Sequence, residues 1–352
     1  MVAAKGRCWC LCRCPIPLRG PRNNPPTATR VQHMKVGFIG LGNVGGKLAG
    51  SLLRNGHEVT VRDLDPLAVQ TFIDRGAQWA DTPRELAEAA DMIITCLPSP
   101  AACSAVMESD DGVIAGLSDG KIWLEMSTTD DSELRRIAAL VLATGARALE
   151  APVSGGCHRA ATGNISIFVG GDRESFEQVL PVLTTLGRRV LHTGELGTAS
   201  VLKVMTNYLA TANLCAVAEA LTVCKKAGLD MNTTFEAIKI SSGNSFVHET
   251  ESQVILNGSR NISFTMDLVL KDVGLFDTLA RNLEVPLEIS PLLMDIFRDG
   301  QERFGPREWS SNIIRRLEES AGVEVLGKGF PAELTDDEPE EQGYEVEVMG
   351  RG

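Results

Sequence analysis

The stretch MKVGFIGLGNVGGKLAGSLLRNGHEVTVRDLDP, residues 34–66, constrains the fold more than any other part of the chain. Its apolar run at 36–39 suits a buried strand, Gly40, Gly42 and Gly45 follow at once, and a helical pattern then continues to Asn55-Gly56. A second strand is expected at 57–61, with Asp63 at its tip. Gly-x-Gly-x-x-Gly between a strand and a helix, with an acid about 20 residues further on, is a dinucleotide-binding pattern in its proper context. Gly40 permits the tight turn, Gly42 lets a pyrophosphate approach the backbone, and Gly45 lets helix and strand pack closely. The backbone through Leu41, Asn43 and Val44 leads to a helix N-terminus that faces the phosphates. Asp63 can accept hydrogen bonds from an adenosine ribose and would repel a 2′-phosphate, which favours NAD; Arg62 beside it keeps NADP open.

Further strand-then-helix units follow. Residues 91–97 (DMIITCL) read as a buried strand ending at Pro98-Ser99-Pro100, and 121–126 as another ending at Ser127-Thr128-Thr129. Alternation of this kind predicts an α/β Rossmann domain, a doubly wound and mostly parallel sheet, with ligands at the carboxyl ends of its strands. Leu97, Pro98 and Thr128 therefore fall where the nicotinamide half of a cofactor would run.

The 352 residues and 43% hydrophobic content suffice for two domains with real cores, and the net charge of −12 argues against a nucleic-acid partner. No uncharged apolar run approaches the ~20 residues of a membrane span, so a soluble protein with a small-molecule ligand is expected. Cys96, Cys103, Cys157, Cys215 and Cys224 are scattered without paired spacing, as reduced thiols of a reducing compartment would be. The five histidines and these cysteines offer no catalytic zinc set, and no metal is expected.

The two ends differ from the middle. Residues 1–33 carry six Lys or Arg, five prolines, no acid, and Cys8, Cys10, Cys12 and Cys14 in one run. A transit peptide, a metal-binding tail and a disordered or non-native extension before Met34 are the options, the last favoured because Met34 abuts the first strand. A cytoplasmic location follows, or the mitochondrial matrix if the segment is a transit peptide. From Pro331 onward eight acidic residues face only Arg351, which reads as a solvated, flexible tail over 323–352. Between these ends, 34–196 is expected as the Rossmann domain and 197–322 as an all-helical domain, with helical patterns at 200–227, 231–241, 265–282 and 291–304 and no convincing strand.

In GELGTASVLKVMTNYL, residues 194–209, one lysine sits in an apolar helical pattern. Ser200, Lys203 and Asn207 share a narrow polar stripe, so Lys203 is expected to be partly buried. Burial disfavours the ammonium form and would let Lys203 exchange the hydroxyl proton of an alcohol substrate, with Asn207 one turn on. Ser154-Gly155-Gly156 offers a hydroxyl and unshielded backbone N–H groups to a carboxylate.

EAPVSGG at 150–156, GELGTASVLKVMTN, GFIGLGNVG and LVLKD at 268–272 together resemble the four ordered signatures of the β-hydroxyacid dehydrogenase family, over roughly residues 34–317. The resemblance implies a Rossmann domain linked by a long helix to a helical domain that assembles as a homodimer or homotetramer. It also implies an NAD-dependent interconversion of a small 3-hydroxy acid with its semialdehyde or ketone. It gives Lys203 and Asn207 the catalytic role, Ser154, Gly155, Gly156 and Phe246 the substrate, and Lys271 a reach back toward the cofactor beside Asp272. Reduction of tartronate semialdehyde, glyoxylate or another short acid aldehyde, and a non-catalytic NAD-binding protein, are the alternatives.

Several positions depart from the family pattern: Glu150 stands where Asp is usual, Met126 where Ser is common, Ala102 where some members carry Asn, and Asn244 where Arg often lies. His158-Arg159 is more basic than usual after the carboxylate loop; a second polar or anionic group on the substrate and plain solvation both fit. Neither Tyr208 nor Tyr344 is followed by the lysine of Tyr-x-x-x-Lys dehydrogenases, and Lys203 counts against the imine-reducing relatives that replace it.

Overall fold

The computed structural model describes residues 34–350; the readings for residues 1–33, the four clustered cysteines included, lie outside the described residues. The first half contains β1 (Val36–Ile39), α1 (Gly45–Arg54), β2 (Val59–Arg62), α2 (Pro66–Ile73), β3 (Gln78–Trp79), α3 (Pro83–Ala89), β4 (Met92–Thr95), α4 (Pro100–Glu108), α5 (Val113–Gly116), β5 (Ile122–Glu125), α6 (Asp131–Ala143) and β6 (Arg147–Glu150). It continues through β7 (Val153–Ser154), α7 (Gly156–Ala161), β8 (Ile165–Gly170), α8 (Arg173–Leu186) and β9 (Gly187–Gly194). Helices then take over: α9 (Thr198–Lys226), α10 (Met231–Lys239), α11 (Phe246–Asn257), α12 (Met266–Asn282), α13 (Ile289–Phe304) and α14 (Arg315–Ala321), before a last short strand, β10 (Tyr344–Glu345).

The ten strands form one sheet in the order β10-β9-β8-β6-β5-β4-β1-β2-β3, with β7 on β8. From β3 across to β6 every pairing is parallel, and β6 meets β8 antiparallel. The chain winds outward in both directions from β1, which lies between β2 and β4, so the crevice at the carboxyl ends of β1 and β4 is the ligand position. Burial on both faces explains why β4 and β5 read as apolar runs up to their last residues, Thr95 and Glu125. Met92, Ile94, Ile122 and Leu124 pack on one face with Leu48, Leu52 and Phe176, while Ile93 and Trp123 pack on the other with Leu86, Leu134 and Ile137. Asp65, Thr82, Ser99, Asp130 and Asp172 cap α2, α3, α4, α6 and α8 through their side chains. α1 has no such cap.

In the helical half, α9 is the helix against which α10 to α14 all pack. Its length and mean hydropathy of 1.2 over one window would allow a membrane span by composition alone, yet Leu214, Val217, Ala218 and Leu221 belong to the core of this bundle. The helix α11 is absent from the helical patterns read in the sequence, because the polar stretch HETESQ separates Val247 from Val254, Ile255 and Leu256, all of which are buried.

The acidic C-terminal segment departs from the expectation of a mobile tail. Val325 is fully buried in the helical core, Gly327 N–H donates to Leu256 O at 2.9 Å, and Asn257 holds Phe330 O at 2.7 Å. The segment then crosses to the sheet: Asp336 accepts from Thr162 and Asn164, Glu340 pairs with Arg54 at 3.1 Å, and Glu341 with Arg188. β10 finally pairs parallel with β9, and Glu345 meets Arg173 at 2.5 Å. Asp336, Glu338, Glu340, Glu341 and Glu345 each have a basic, hydroxyl or amide partner on the Rossmann face, and that is why the charge run is a strap; β10 likewise corrects the expectation of no strand after residue 197.

Candidate active site

The glycine turn is shaped by backbone contacts. Gly40 has φ +100°, and a Cβ there would meet Cys96 O at 2.3 Å; one at Gly45 would meet Gly40 O at 2.0 Å. Nothing lies within 4 Å of a Cβ at Gly42, so the space above that residue is open to a ligand. Leu41 N–H donates to Asp63 Oδ2 at 2.5 Å and Asp65 N–H to Asp63 Oδ1 at 2.9 Å, so Asp63 braces the turn while retaining lone pairs for a ribose. Arg62 lies over the Trp79 ring at 5.5 Å and reaches Ala80 O at 3.4 Å. Val44, at the head of α1, supplies no capping side chain, and Asn43 Nδ2 is 3.5 Å from Ser263 O in the helical half. An uncapped helix N-terminus behind an open glycine fits a dinucleotide pyrophosphate.

At the ends of β4 and β5 a buried carboxylate organises the next stretch. Glu125 accepts from Thr95 Oγ1 at 2.9 Å, Cys103 Sγ at 2.7 Å and Ser127 N–H at 2.6 Å. Burial pushes its pKa up, and these hydrogen bonds pull against that shift. Ser127 Oγ in turn accepts from Leu97 N–H at 2.8 Å, which fixes the loop that continues into Pro98. Thr128 O accepts from Lys271 Nζ at 3.0 Å, so α12 touches the cofactor edge of the sheet.

Lys203 occupies the first third of α9 with only 8% of its surface exposed. Its Nζ donates to Asn207 Oδ1 at 2.8 Å, and Asn207 Nδ2 donates to Asp272 Oδ2 at 2.5 Å. Lys271 Nζ lies 2.9 Å from Asp272 Oδ1. Burial draws the Lys203 pKa down to about 8; Asp272 opposes the shift and Lys271 adds to it. α9 itself begins at Gly197 without a side-chain cap of its own. Glu150, at the end of β6, supplies one: its carboxylate accepts from Gly197 N–H at 2.5 Å, from Ala199 and Ser200 N–H at 2.9 Å, and from the Ser200 hydroxyl. The longer Glu150 side chain thus spans from the sheet to the helix that carries Lys203.

Ser154 closes β7 opposite Ser166, and Gly155 and Gly156 follow with φ +131° and +87°, a region suited to glycine. Arg159, one turn into α7, lies over the Phe246 ring at 4.9 Å, and its Nη2 is 3.2 Å from Glu338 Oε1. A Cβ on Gly155 would touch Arg159 Cδ at 3.4 Å. Lys203, Asn207, Lys271 and Thr128 are therefore joined in one chain of contacts, and the Ser154–Gly156 loop and Phe246 meet through Arg159 in another. Arg159 is ion-paired and stacked, not simply solvated. Sequence reasoning passed over Glu125 and treated Glu150 only as a departure; an acid ending an otherwise apolar strand, as in KIWLE and RALE, is the signal that marks both.

A doubly wound sheet with an open glycine turn, joined to a helical domain that presents a buried lysine, defines a nicotinamide-dependent oxidoreductase. Residues 35–194 match the NAD-binding domain of 6-phosphogluconate dehydrogenase, and residues 197–317 match the NAD-binding domain of NADP-dependent 3-hydroxyisobutyrate dehydrogenase. The chain is 34% identical over 295 residues to 2-(hydroxymethyl)glutarate dehydrogenase of Eubacterium barkeri, covering 84% of this chain and 98% of that protein. It is 33% identical over 269 residues to 3-hydroxyisobutyrate dehydrogenase of Pseudomonas aeruginosa, covering 74% and 90%. The crystal structure of 3-hydroxyisobutyrate dehydrogenase from Salmonella typhimurium superposes with a TM-score of 0.73 at 28% identity, covering 80% of this chain and 99% of that one. The chain belongs to the β-hydroxyacid dehydrogenase family and uses a nicotinamide dinucleotide.

Proposed function

We propose that this enzyme interconverts a small 3-hydroxy acid and its semialdehyde or ketone with NAD, and that Lys203 moves the hydroxyl proton. The observation that carries the reading is the burial of Lys203 against Asn207, which leaves a lysine of pKa about 8 on the helix bordering the cofactor crevice. The bound nicotinamide supplies the hydride chemistry. Neutral Lys203 would take the proton of the substrate hydroxyl, and Asn207, whose Oδ1 accepts from Lys203 while its Nδ2 donates to Asp272, would keep the lysine and the substrate oxygen in register. Ser154 Oγ and the N–H groups of Gly155 and Gly156 would hold the substrate carboxylate, with Phe246 as an apolar wall. Gly40 to Gly45 would carry the pyrophosphate, Asp63 the ribose, and Leu97, Pro98 and Thr128 the nicotinamide side, with Lys271 bridging from α12. The carboxylate of Asp63 and the engagement of Arg62 with Trp79 support NAD over NADP.

At neutral pH a lysine of pKa about 8 is mostly ammonium, and this favours a second, reductive reading in which Lys203 protonates the carbonyl of a short acid aldehyde. NADH formation from 3-hydroxyisobutyrate, L-serine, D-glycerate and 4-hydroxybutyrate, compared between wild type and Lys203→Ala, tests both. Binding of NAD with no turnover, or full activity in the variant, defeats the proposal. Exposed Leu209 and Val223 on α9 and Ile240 beyond α10 support assembly as a homodimer or homotetramer through the helical half, which light scattering measures. Five free thiols among the described residues suit the cytosol or the mitochondrial matrix, and fractionation of the tagged full chain distinguishes these.

A further inference from the structure

The strap that ends the chain lies beyond residue 317, where the family model stops. We propose that Glu338, carried by this strap, is a specificity-determining residue: it occupies the Arg159 guanidinium at the edge of the substrate loop and so biases the site against hydroxy acids bearing a second anionic group. The inference rests on the reading of Ser154–Gly156 as the carboxylate loop.

Arg159 would otherwise suit a second acid. Its stem lies against Gly155, its guanidinium is spread over Phe246 at 4.9 Å, and its side chain retains 23% exposure. A guanidinium so placed can bind a carboxylate or sulfonate with two parallel N–H donors. Glu338 Oε1 already sits 3.2 Å from Nη2. The backbone holds it there from both sides: Asn164 Nδ2 donates to Glu338 O at 2.9 Å and to Asp336 Oδ2 at 2.7 Å, while Glu340 is anchored on Arg54 at 3.1 Å. A hydroxy acid with a single carboxylate needs only the loop hydroxyl and N–H groups. One with a second anion meets the Glu338 carboxylate and finds the guanidinium engaged.

The test compares kcat/KM with NAD for 3-hydroxyisobutyrate and for 2-(hydroxymethyl)succinate, which replaces the methyl group by a carboxymethyl group, in wild type, Glu338→Gln, Arg159→Ala and the double variant. The readout is the ratio of diacid to monoacid. Glu338→Gln is expected to raise that ratio about tenfold, about 1.4 kcal/mol, and the double variant to return it to the Arg159→Ala value. A ratio in Glu338→Gln within about twofold of wild type, or a gain that survives in the double variant, overturns the proposal. Wild type that oxidises the monoacid while the ratio stays fixed refutes only the role of Glu338; wild type that binds NAD and oxidises neither acid refutes the hydroxy-acid reading, and this inference with it. Melting temperatures verify that Glu338→Gln keeps the strap seated, since β10 and the Glu340 and Glu345 pairs are untouched.

Discussion

The lowered pKa of Lys203 makes the pH profile the most searching test of the site. Burial lowers the Lys203 pKa from the ordinary 10.5 to about 8, which is on the order of 3 kcal/mol between the two protonation states. At pH 7 about one lysine in ten is then neutral, roughly 300 times the fraction expected of an exposed lysine. Oxidation needs the neutral form, so its kcat/KM should rise with pH and level off above about 8, while carbonyl reduction, which needs the ammonium, should fall through the same range. Both directions are followed by NADH absorbance across the range, with pH-stability controls. Asp272 raises the lysine pKa, so Asp272→Asn should move both breaks to lower pH together. Oxidation that climbs unbroken toward the ordinary lysine range, or an Asp272→Asn variant whose break stays in place, would refute proton transfer by Lys203.

Stability and activity should part at the same residue. Below pH 8 Lys203 is protonated in both folded and unfolded states, so the cost of burying the ammonium is fully present there and fades as pH rises from about 8 to 10.5. Lys203→Met should therefore raise stability at pH 7 by about 1–3 kcal/mol, and by less at high pH, while abolishing turnover; chemical denaturation at two pH values measures it. Glu150→Ala removes every side-chain acceptor at the start of α9 and should cost about 2–4 kcal/mol, read from thermal unfolding. Gly42→Ala should leave the melting temperature within a degree or so of wild type and weaken NAD binding by titration, because the space above Gly42 is open. Gly45→Ala should destabilise the apo protein itself, because the added methyl meets Gly40 O at 2.0 Å.

Local periodicity and glycine spacing made much of this structure legible. β1, β4 and β5 are buried on both faces and so appear as apolar runs, closed in β4 and β5 by Thr95 and Glu125, and the polar stripe of α9 shows Lys203 and Asn207 on one face. What stayed hidden depends on long-range pairing. Glu150 and the head of α9 are 47 residues apart, and Glu338 and Arg159 are 179 apart. No window of sequence contains both partners. α11 is hidden for another reason: two of its buried residues, His248 and Ser252, are polar, so burial leaves only a weak apolar stripe in the sequence. The strap misled in the opposite direction, since a run of acids reads as solvated until the arginines facing it are known.

The strap also changes how the two halves can move. Without it, the chain would pass between them once, from β9 to α9, and the helical half could swing and twist about that single point. Val325 in the helical core and β10 on the sheet add a second crossing. Two crossings fasten the helical half to the sheet at two separate places along the chain. The 3.0 Å contact of Lys271 with the Thr128 carbonyl lies between halves that the chain ties together at two places.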